Sequence, residues 1–230
     1  MGSVPKHIAI IPDGNRRWAR SKGLSDLEGH MEGVRRTLDI VEKAHELGVE
    51  VITFWGFSTE NWKRDEDEVS YLMKDIFINQ GKKFLQKFYD QKARFIHLGR
   101  KDRLPKELVS ILSDLEEKTK EFVGRTVCFA IDYGGRNEIL RAIQNIVESG
   151  AKSEEITEEF VGKLLDTKGI PDPDMIIRTS GEQRLSGLMP WQSVYAELFF
   201  VPIFYPEFTK DKFEEVVSDF ANRQRRFGGK

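Results

Sequence analysis

The chain has one cysteine, Cys128, so it cannot close an internal disulfide, and no charged-then-apolar leader opens it. Both features lead us to expect a reducing, cytoplasmic setting. Long apolar runs are missing too. The longest, around Leu198 to Tyr205, contains Pro202 and falls far short of the ~20 residues a membrane-spanning helix needs, which leaves at most peripheral membrane contact. There is no excess of one charge: 36 Lys and Arg stand against 38 Asp and Glu. A balanced chain has no global field to draw it to nucleic acid, so any anion site must be local. The common nucleotide fingerprints, Gly-x-Gly-x-x-Gly and Gly-x-x-x-x-Gly-Lys-Ser/Thr, do not occur. No Cys/His spacing suggests zinc, and no Ser/His/Asp or Cys/His arrangement declares a nucleophile.

What remains is a soluble, globular composition, 39% apolar and 32% charged over 230 residues, the size of one domain spanning 1–230. A chain this long buries roughly 70% of its unfolded surface and needs no metal to hold a core. A metal here would serve chemistry.

Short β-rich runs alternate with helix-period stretches. Strands are expected at Ile8–Ile11, Val51–Phe57, Arg94–Leu98, Val127–Ile131, Met175–Ile177 and Leu198–Phe204. Helices are expected at about 30–47, 68–89, 105–121, 136–149, 157–167 and 209–226, with a further turn into helix after Asp13-Gly14-Asn15. This alternation predicts an α/β fold, a single domain with a mainly parallel six-stranded sheet flanked by helices. In such sheets ligands bind beyond the carboxyl ends of the strands, so the residues just after each strand are the ones to examine.

Three of these places are polar. After the first strand, Pro12-Asp13-Gly14-Asn15-Arg16-Arg17-Trp18 combines a glycine that lets an anion approach the backbone, charge-assisted donors and a carboxylate suited to Mg²⁺. The same residues also read as a capped turn with solvated arginines. After the second strand, Ser58, Glu60, Asn61, Trp62 and Arg64 crowd a strand tip, again either a capped turn or a site wall. After the fifth, Arg178, Ser180, Arg184 and Ser186 form what reads as a second, independent anion site, with Glu197 a little further on. His30 is a capping or core histidine, or a group that donates to a diphosphate oxygen or shuttles a proton. His7, His45, His97 and Cys128 read as structural.

Taken in order, these segments resemble the cis-prenyltransferases, the family that includes undecaprenyl and dehydrodolichyl diphosphate synthases. The likeness runs from His7 through Asp13-Gly14-Asn15-Arg16-Arg17-Trp18, Gly29-His30 with Gly33, Phe57 to Trp62 with Arg64 and Glu68, Tyr133-Gly134-Gly135-Arg136 with Glu138, Arg178 to Ser186, Trp191-Gln192, Tyr195-Ala196-Glu197 and Arg225 to Gly229. The resemblance implies condensation of isopentenyl diphosphate with an allylic prenyl diphosphate in a Mg²⁺-dependent homodimer. It implies an allylic site of Gly14, Asn15, Arg16, Arg17, Trp18, His30, Trp62 and Arg64, and an isopentenyl site of Arg178, Arg184, Ser186, Arg226 and Gly228. Metal binding falls to Asp13 and Glu197, and catalysis to Asp13, Asn15, Arg17, His30, Ser58, Glu60 and Asn61. The product's hydrocarbon would lie in a tunnel walled by strand 51–57 and helix 68–89. Gly56 argues against a plug beside it, while Tyr71, Phe77, Phe84 or Phe88 could close the tunnel lower down. The chain departs from the family pattern at Asp26, where a carboxylate would weaken diphosphate binding, at Gly187 to Pro190 and at Asp132. Irregular prenyl joining, or a non-catalytic partner subunit, are the alternatives.

Overall fold

The computed structural model describes residues 4–223. Six strands, β1 His7–Ile11, β2 Val51–Ser58, β3 Arg94–Leu98, β4 Thr126–Tyr133, β5 Met175–Arg178 and β6 Glu197–Phe200, form one sheet in the order β3-β4-β2-β1-β5-β6. Every neighbouring pair is parallel. Parallel strands covered on both faces read as unbroken apolar runs, and all five residues of β1 are buried. One apolar layer gathers Ile8, Ile10, Ile52 and Phe54; the opposite one gathers Ala9, Ile11, Cys128 and Ala130.

Helix α1, Asn15–Ser21, follows β1 directly, and α2 runs Asp26–Glu46, a turn earlier than its apolar period suggests. Its start is fixed by a capping box: Ser25 Oγ accepts from the Glu28 N–H at 3.2 Å and Glu28 Oε2 from the Ser25 N–H at 2.8 Å. The helix expected at 68–89 is three pieces: α3 Glu66–Tyr71, a π-helical segment Leu72–Ile78 and α4 Asn79–Asp90. π-Helical turns are rare and concentrate at functional sites. Helices α5 Lys106–Thr119 and α6 Gly135–Ser149 lie close to expectation.

Two elements are shorter than the sequence suggests. Beyond Phe200 the carbonyls of Val201 and Ile203 accept from Gly181 and Ser180 at 2.9 and 2.6 Å, so this stretch closes onto the loop after β5 instead of extending β6. Helix α7 covers only Glu158–Gly162. Helix α8, Lys210–Ala221, ends at Asn222, and 224–226 of the expected helix lie outside the described residues.

Candidate active site

The carboxyl ends of β1, β2 and β5 open onto a cavity of about 550 Å³ lined by Asp13, Asn15, Arg16, Arg17, Arg20, His30, Ser58, Glu60, Asn61, Arg64, Arg178 and Ser186. Gly14 makes the turn from β1 into α1. Its φ of 103° is a left-handed conformation, and a Cβ there would stand 2.7 Å from the Phe204 ring. Arg17 lies over that same ring at 5.6 Å.

The two anion sites expected to be independent are joined. Arg178, 5% exposed, donates from Nη2 to Asp13 Oδ2 at 2.8 Å and from Nη1 to Ser186 Oγ at 2.8 Å, while its buried Nε–H has no partner. Arg17 donates to Ser180 Oγ at 2.6 Å and approaches Asp13 at 3.4 Å. Burial alone would raise the Asp13 pKa, but Arg178 and Arg17 hold its carboxyl below the usual aspartate range.

Three further arginines share two carboxylates, which leaves this side of the cavity net positive. Glu68 accepts from Arg16 at 2.7 Å and from Arg64 at 2.8 Å; Asp26 accepts from Arg20 at 2.7 Å and faces Arg16 at 3.2 Å. Asp26 is thus a counter-ion at the lip of the cavity, and diphosphate would compete with it for these arginines. His30 donates from Nδ1 to the Asp26 carbonyl at 2.8 Å. That fixes the tautomer: neutral His30 carries its lone pair on Nε2. Burial lowers its pKa. The expected donation to a diphosphate oxygen therefore requires the ring to take up a proton.

A second, apolar cavity of about 90 Å³ continues from the first, sharing Pro12, Asn15, His30, Gly56 and Leu72. Its walls are β2 and the π-helical segment, as expected, together with α5 and Phe129 of β4, which the sequence did not indicate. The space beside Gly56 is not open: the Phe77 ring lies 3.1 Å from where a Cβ would be. Phe84 lines the cavity and stacks on Phe88 at 5.6 Å between centroids. Phe88 is fully buried behind it, and Tyr71 lines neither cavity, its hydroxyl standing 3.4 Å from His30 Nδ1. Asn15 bridges the two cavities, its Nδ2 donating to the Pro12 carbonyl at 3.1 Å and its buried Oδ1 unpartnered.

Several expected site residues are elsewhere. Arg184 lines neither cavity; its side chain pairs with Glu182 at 2.5 Å and its backbone carbonyl accepts from Arg178 at 2.6 Å. Trp18 and Trp62 line neither cavity. Glu197 opens β6, level with Met175 and hence with Ile8, at the amino end of the sheet, and pairs with Arg223 at 2.7 Å. It cannot share a metal with Asp13 of its own chain. Arg226 and Gly228 lie outside the described residues. Among the described residues no group of three or more His, Cys, Asp or Glu could by itself hold a metal. Asp13 nevertheless suits Mg²⁺, which is commonly held by one or two carboxylates plus substrate phosphates. Glu68 is named in the resemblance but given no role in the site, although its place four residues after Arg64 matches helical ion-pair spacing.

The family described as "Putative undecaprenyl diphosphate synthase" matches residues 11–228. The isoprenyl transferase of Thermotoga maritima is 43% identical over 228 residues, covering 98% of this chain and 97% of that protein. The ditrans,polycis-undecaprenyl-diphosphate synthase ((2E,6E)-farnesyl-diphosphate specific) of Micrococcus luteus is 43% identical over 232 residues, covering 98% and 92%. The crystal structure of lavandulyl diphosphate synthase from Lavandula x intermedia in complex with dimethylallyl diphosphate superposes with a TM-score of 0.93 at 34% identity, over 98% of this chain and 99% of that one.

Proposed function

The chain belongs to the undecaprenyl diphosphate synthase family of prenyltransferases, and on that premise we propose that it condenses isopentenyl diphosphate with an allylic prenyl diphosphate, head to tail, to lengthen a cis-prenyl chain. The observation that carries this reading is the continuity of the two cavities. One is lined by arginines and the other by aromatic and aliphatic side chains, and Asn15 and His30 belong to both. A diphosphate head with a hydrocarbon tail is the ligand class that satisfies both halves.

The allylic diphosphate lies in the cradle of Gly14, Asn15, Arg16 and Arg17, with His30 and Arg64 beside it, and displaces Glu68 and Asp26 from their arginines. Isopentenyl diphosphate is held by Arg178 and Ser186. Departure of the allylic diphosphate puts negative charge on its oxygens, and guanidinium groups fixed there before the reaction stabilise the transition state more than the ground state. Mg²⁺ held by Asp13 would add neutralising charge at the leaving group. The isopentenyl double bond attacks the allylic carbon, and loss of a proton gives the new cis double bond. Ser58, Glu60 and Asn61 wall the mouth; Pro12 and Leu72 direct the tail towards Phe77.

The working form is a homodimer. Leu140, Ile143 and Val147 form an exposed apolar stripe on α6, between 49% and 74% accessible, and Val194 and Tyr195 are exposed in the loop that touches the start of that helix at Gly135. An isologous interface would bury this patch. Cytoplasmic location is supported by a lone cysteine buried in β4. Among the described residues no helix is long and apolar enough to cross a membrane. A second reading, the irregular joining of short prenyl units, is favoured by the small volume of the apolar cavity.

Purified protein incubated with Mg²⁺, isopentenyl diphosphate and dimethylallyl, geranyl or farnesyl diphosphate should give products growing by one isoprene unit, sized by mass spectrometry. Branched or cyclic products of fixed size would favour the second reading, and no carbon–carbon bond formation with any primer would refute both.

A further inference from the structure

We propose that Asp132 is a positioning residue for the turn that brings Ser58, Glu60, Asn61 and Arg64 to the diphosphate, and that it acts through the indole of Trp62. The inference rests on the prenyltransferase reading of that cavity and adds a residue outside it.

Asp132 is the penultimate residue of β4, fully buried, with a φ of 54°. A non-glycine residue in the left-handed region is strained, and such strain persists only where the surroundings over-determine it. Here they do. The Asp132 carbonyl accepts from the Arg100 N–H at 3.1 Å. Oδ1 accepts from Trp62 Nε1–H at 2.9 Å, Oδ2 accepts from Arg103 Nε–H at 2.9 Å, and Arg103 Nη2 donates to Oδ1 as well. The Arg103 guanidinium also lies over the Trp62 ring at 5.7 Å. One carboxylate is therefore held by a two-pronged cation and in turn holds one indole.

Trp62 lies in a 3₁₀ turn, Thr59–Lys63, between Ser58 and Arg64. Its ring meets Phe57 edge-on at 5.1 Å, and Phe57 meets Phe77 edge-on at 6.2 Å. The turn is one short 3₁₀ segment closed by local bonds, a capping box in which the Ser58 N–H donates to Asn61 Oδ1 at 3.0 Å and an Arg64 N–H bond to the Asn61 carbonyl at 3.0 Å, while Thr59 packs against Gly134. Fixing the indole from β4 fixes the turn, and with it the mouth of the cavity. Arg103 neutralises a carboxylate that would be costly to bury alone. Asparagine at 132 would tolerate the left-handed backbone and still accept from the indole, whereas alanine does neither.

The test uses full-length Asp132→Ala, Asp132→Asn, Trp62→Phe and the Asp132→Ala/Trp62→Phe double variant. Steady-state kinetics are measured for each substrate, and indole N–H resonances are followed by ¹⁵N NMR; the peak lost in Trp62→Phe identifies Trp62. Asp132→Ala should move that peak and raise KM for the allylic primer by about tenfold, the size of one lost charge-assisted bond, with KM for isopentenyl diphosphate within about twofold. Asp132→Asn should restore both, and the double variant should be no worse than Asp132→Ala. Trp62→Phe keeps the ring but not the donor and should give the same KM split even if Asp132→Ala does not fold. Equal loss for both substrates, failure of Asp132→Asn to rescue, or additive effects in the double variant would overturn the proposal. Calorimetry with inorganic pyrophosphate on the same variants keeps the two readings separable. If wild-type protein makes no product, weaker pyrophosphate binding by Asp132→Ala and its rescue by Asp132→Asn still support the positioning role, and unchanged binding refutes it.

Discussion

Arg178 and Asp13 stand 165 positions apart in sequence and meet at the ends of adjacent parallel strands, Nη2 to Oδ2 at 2.8 Å. The pair joins the cradle after β1 to the loop after β5. Because the Nε–H of Arg178 is buried and unpartnered, the guanidinium keeps one donor in reserve.

Arg178→Ala and Arg184→Ala should accordingly differ. Loss of the buried guanidinium should weaken isopentenyl diphosphate by roughly 1.5–3 kcal/mol, or tenfold and more, the size of a hydrogen bond to a charged group. Loss of Arg184, whose side chain is 58% exposed and turned to Glu182, should cost less than threefold by the scale of surface ion pairs. Isothermal titration of the two variants decides it. Equal losses would mean that Arg184 swings into the cavity when substrate is bound.

Replacing Asp13 with Ala should lower kcat on the order of 10³ or more, judging from comparable electrostatic deletions, without changing the far-UV circular dichroism. The carboxylate contributes to no apolar layer, so the fold should persist, but Arg178 is left buried without its counter-ion and the melting temperature should fall. Retained Mg²⁺-dependent turnover would remove Asp13 from the metal site.

Phe77 lines the apolar cavity, whereas Tyr71 lines neither cavity and stands beside His30, which belongs to both. Phe77→Ala should shift the product distribution to longer chains, since its ring fills the space beside Gly56. Tyr71→Ala should leave chain length alone and instead alter binding of the primer, because its hydroxyl stands at His30. Product sizing by mass spectrometry checks both, and longer products from Tyr71→Ala would reverse the assignment.

Stability should fall with acidification above the range where carboxylates titrate. His7 donates from Nδ1 to the Pro171 carbonyl at 2.7 Å and accepts at Nε2 from the Thr53 hydroxyl at 2.8 Å, and burial pushes its pKa down to about 4. The unfolded chain takes up a proton near the ordinary histidine value of 6.5, while the folded protein does not. The loss therefore begins as pH falls through 6.5 and amounts to about 3 kcal/mol by pH 4. Burial lowers the pKa of His45 and His97 as well, which adds to the trend. Urea midpoints that stayed flat between pH 7 and pH 5 would contradict this account.

Much of the fold could be read directly because β1, β2 and β4 are β-branched and aromatic runs too short for helices, and because α2 keeps its apolar period. The π-helical segment could not be read, since Leu72, Met73 and Ile76 suit an α-helical stripe equally well and only packing selects the wider turn. Strand β6 was overextended because Val201 to Phe204 has strand composition, whereas the partners of its carbonyls, Ser180 and Gly181, are distant in sequence. In the site, Asp13, Asn15, Arg64 and Arg178 follow from one rule, that ligands lie beyond the carboxyl ends of parallel strands. Glu197 fails the same rule, for it is the first residue of its strand and lies at the amino end of the sheet. The pairing of Arg16 with Glu68 and Asp26 and of Arg17 with Glu182 was hidden because those carboxylates come from other elements, whereas Arg64–Glu68 has the local four-residue spacing.

The strand order has a consequence for the chain as it is made. β1 lies between β2 and β5, so an amino-terminal fragment ending before Met175 would present Ile8–Ile11 as the open edge of a sheet whose residues are all meant for the interior. Exposed apolar edges of this kind pair with other copies. Truncated chains that stop short of β5 should therefore aggregate rather than persist as inactive monomers, and the polar cavity, which needs Arg178 for its far wall, is completed only after three quarters of the polypeptide has been synthesised.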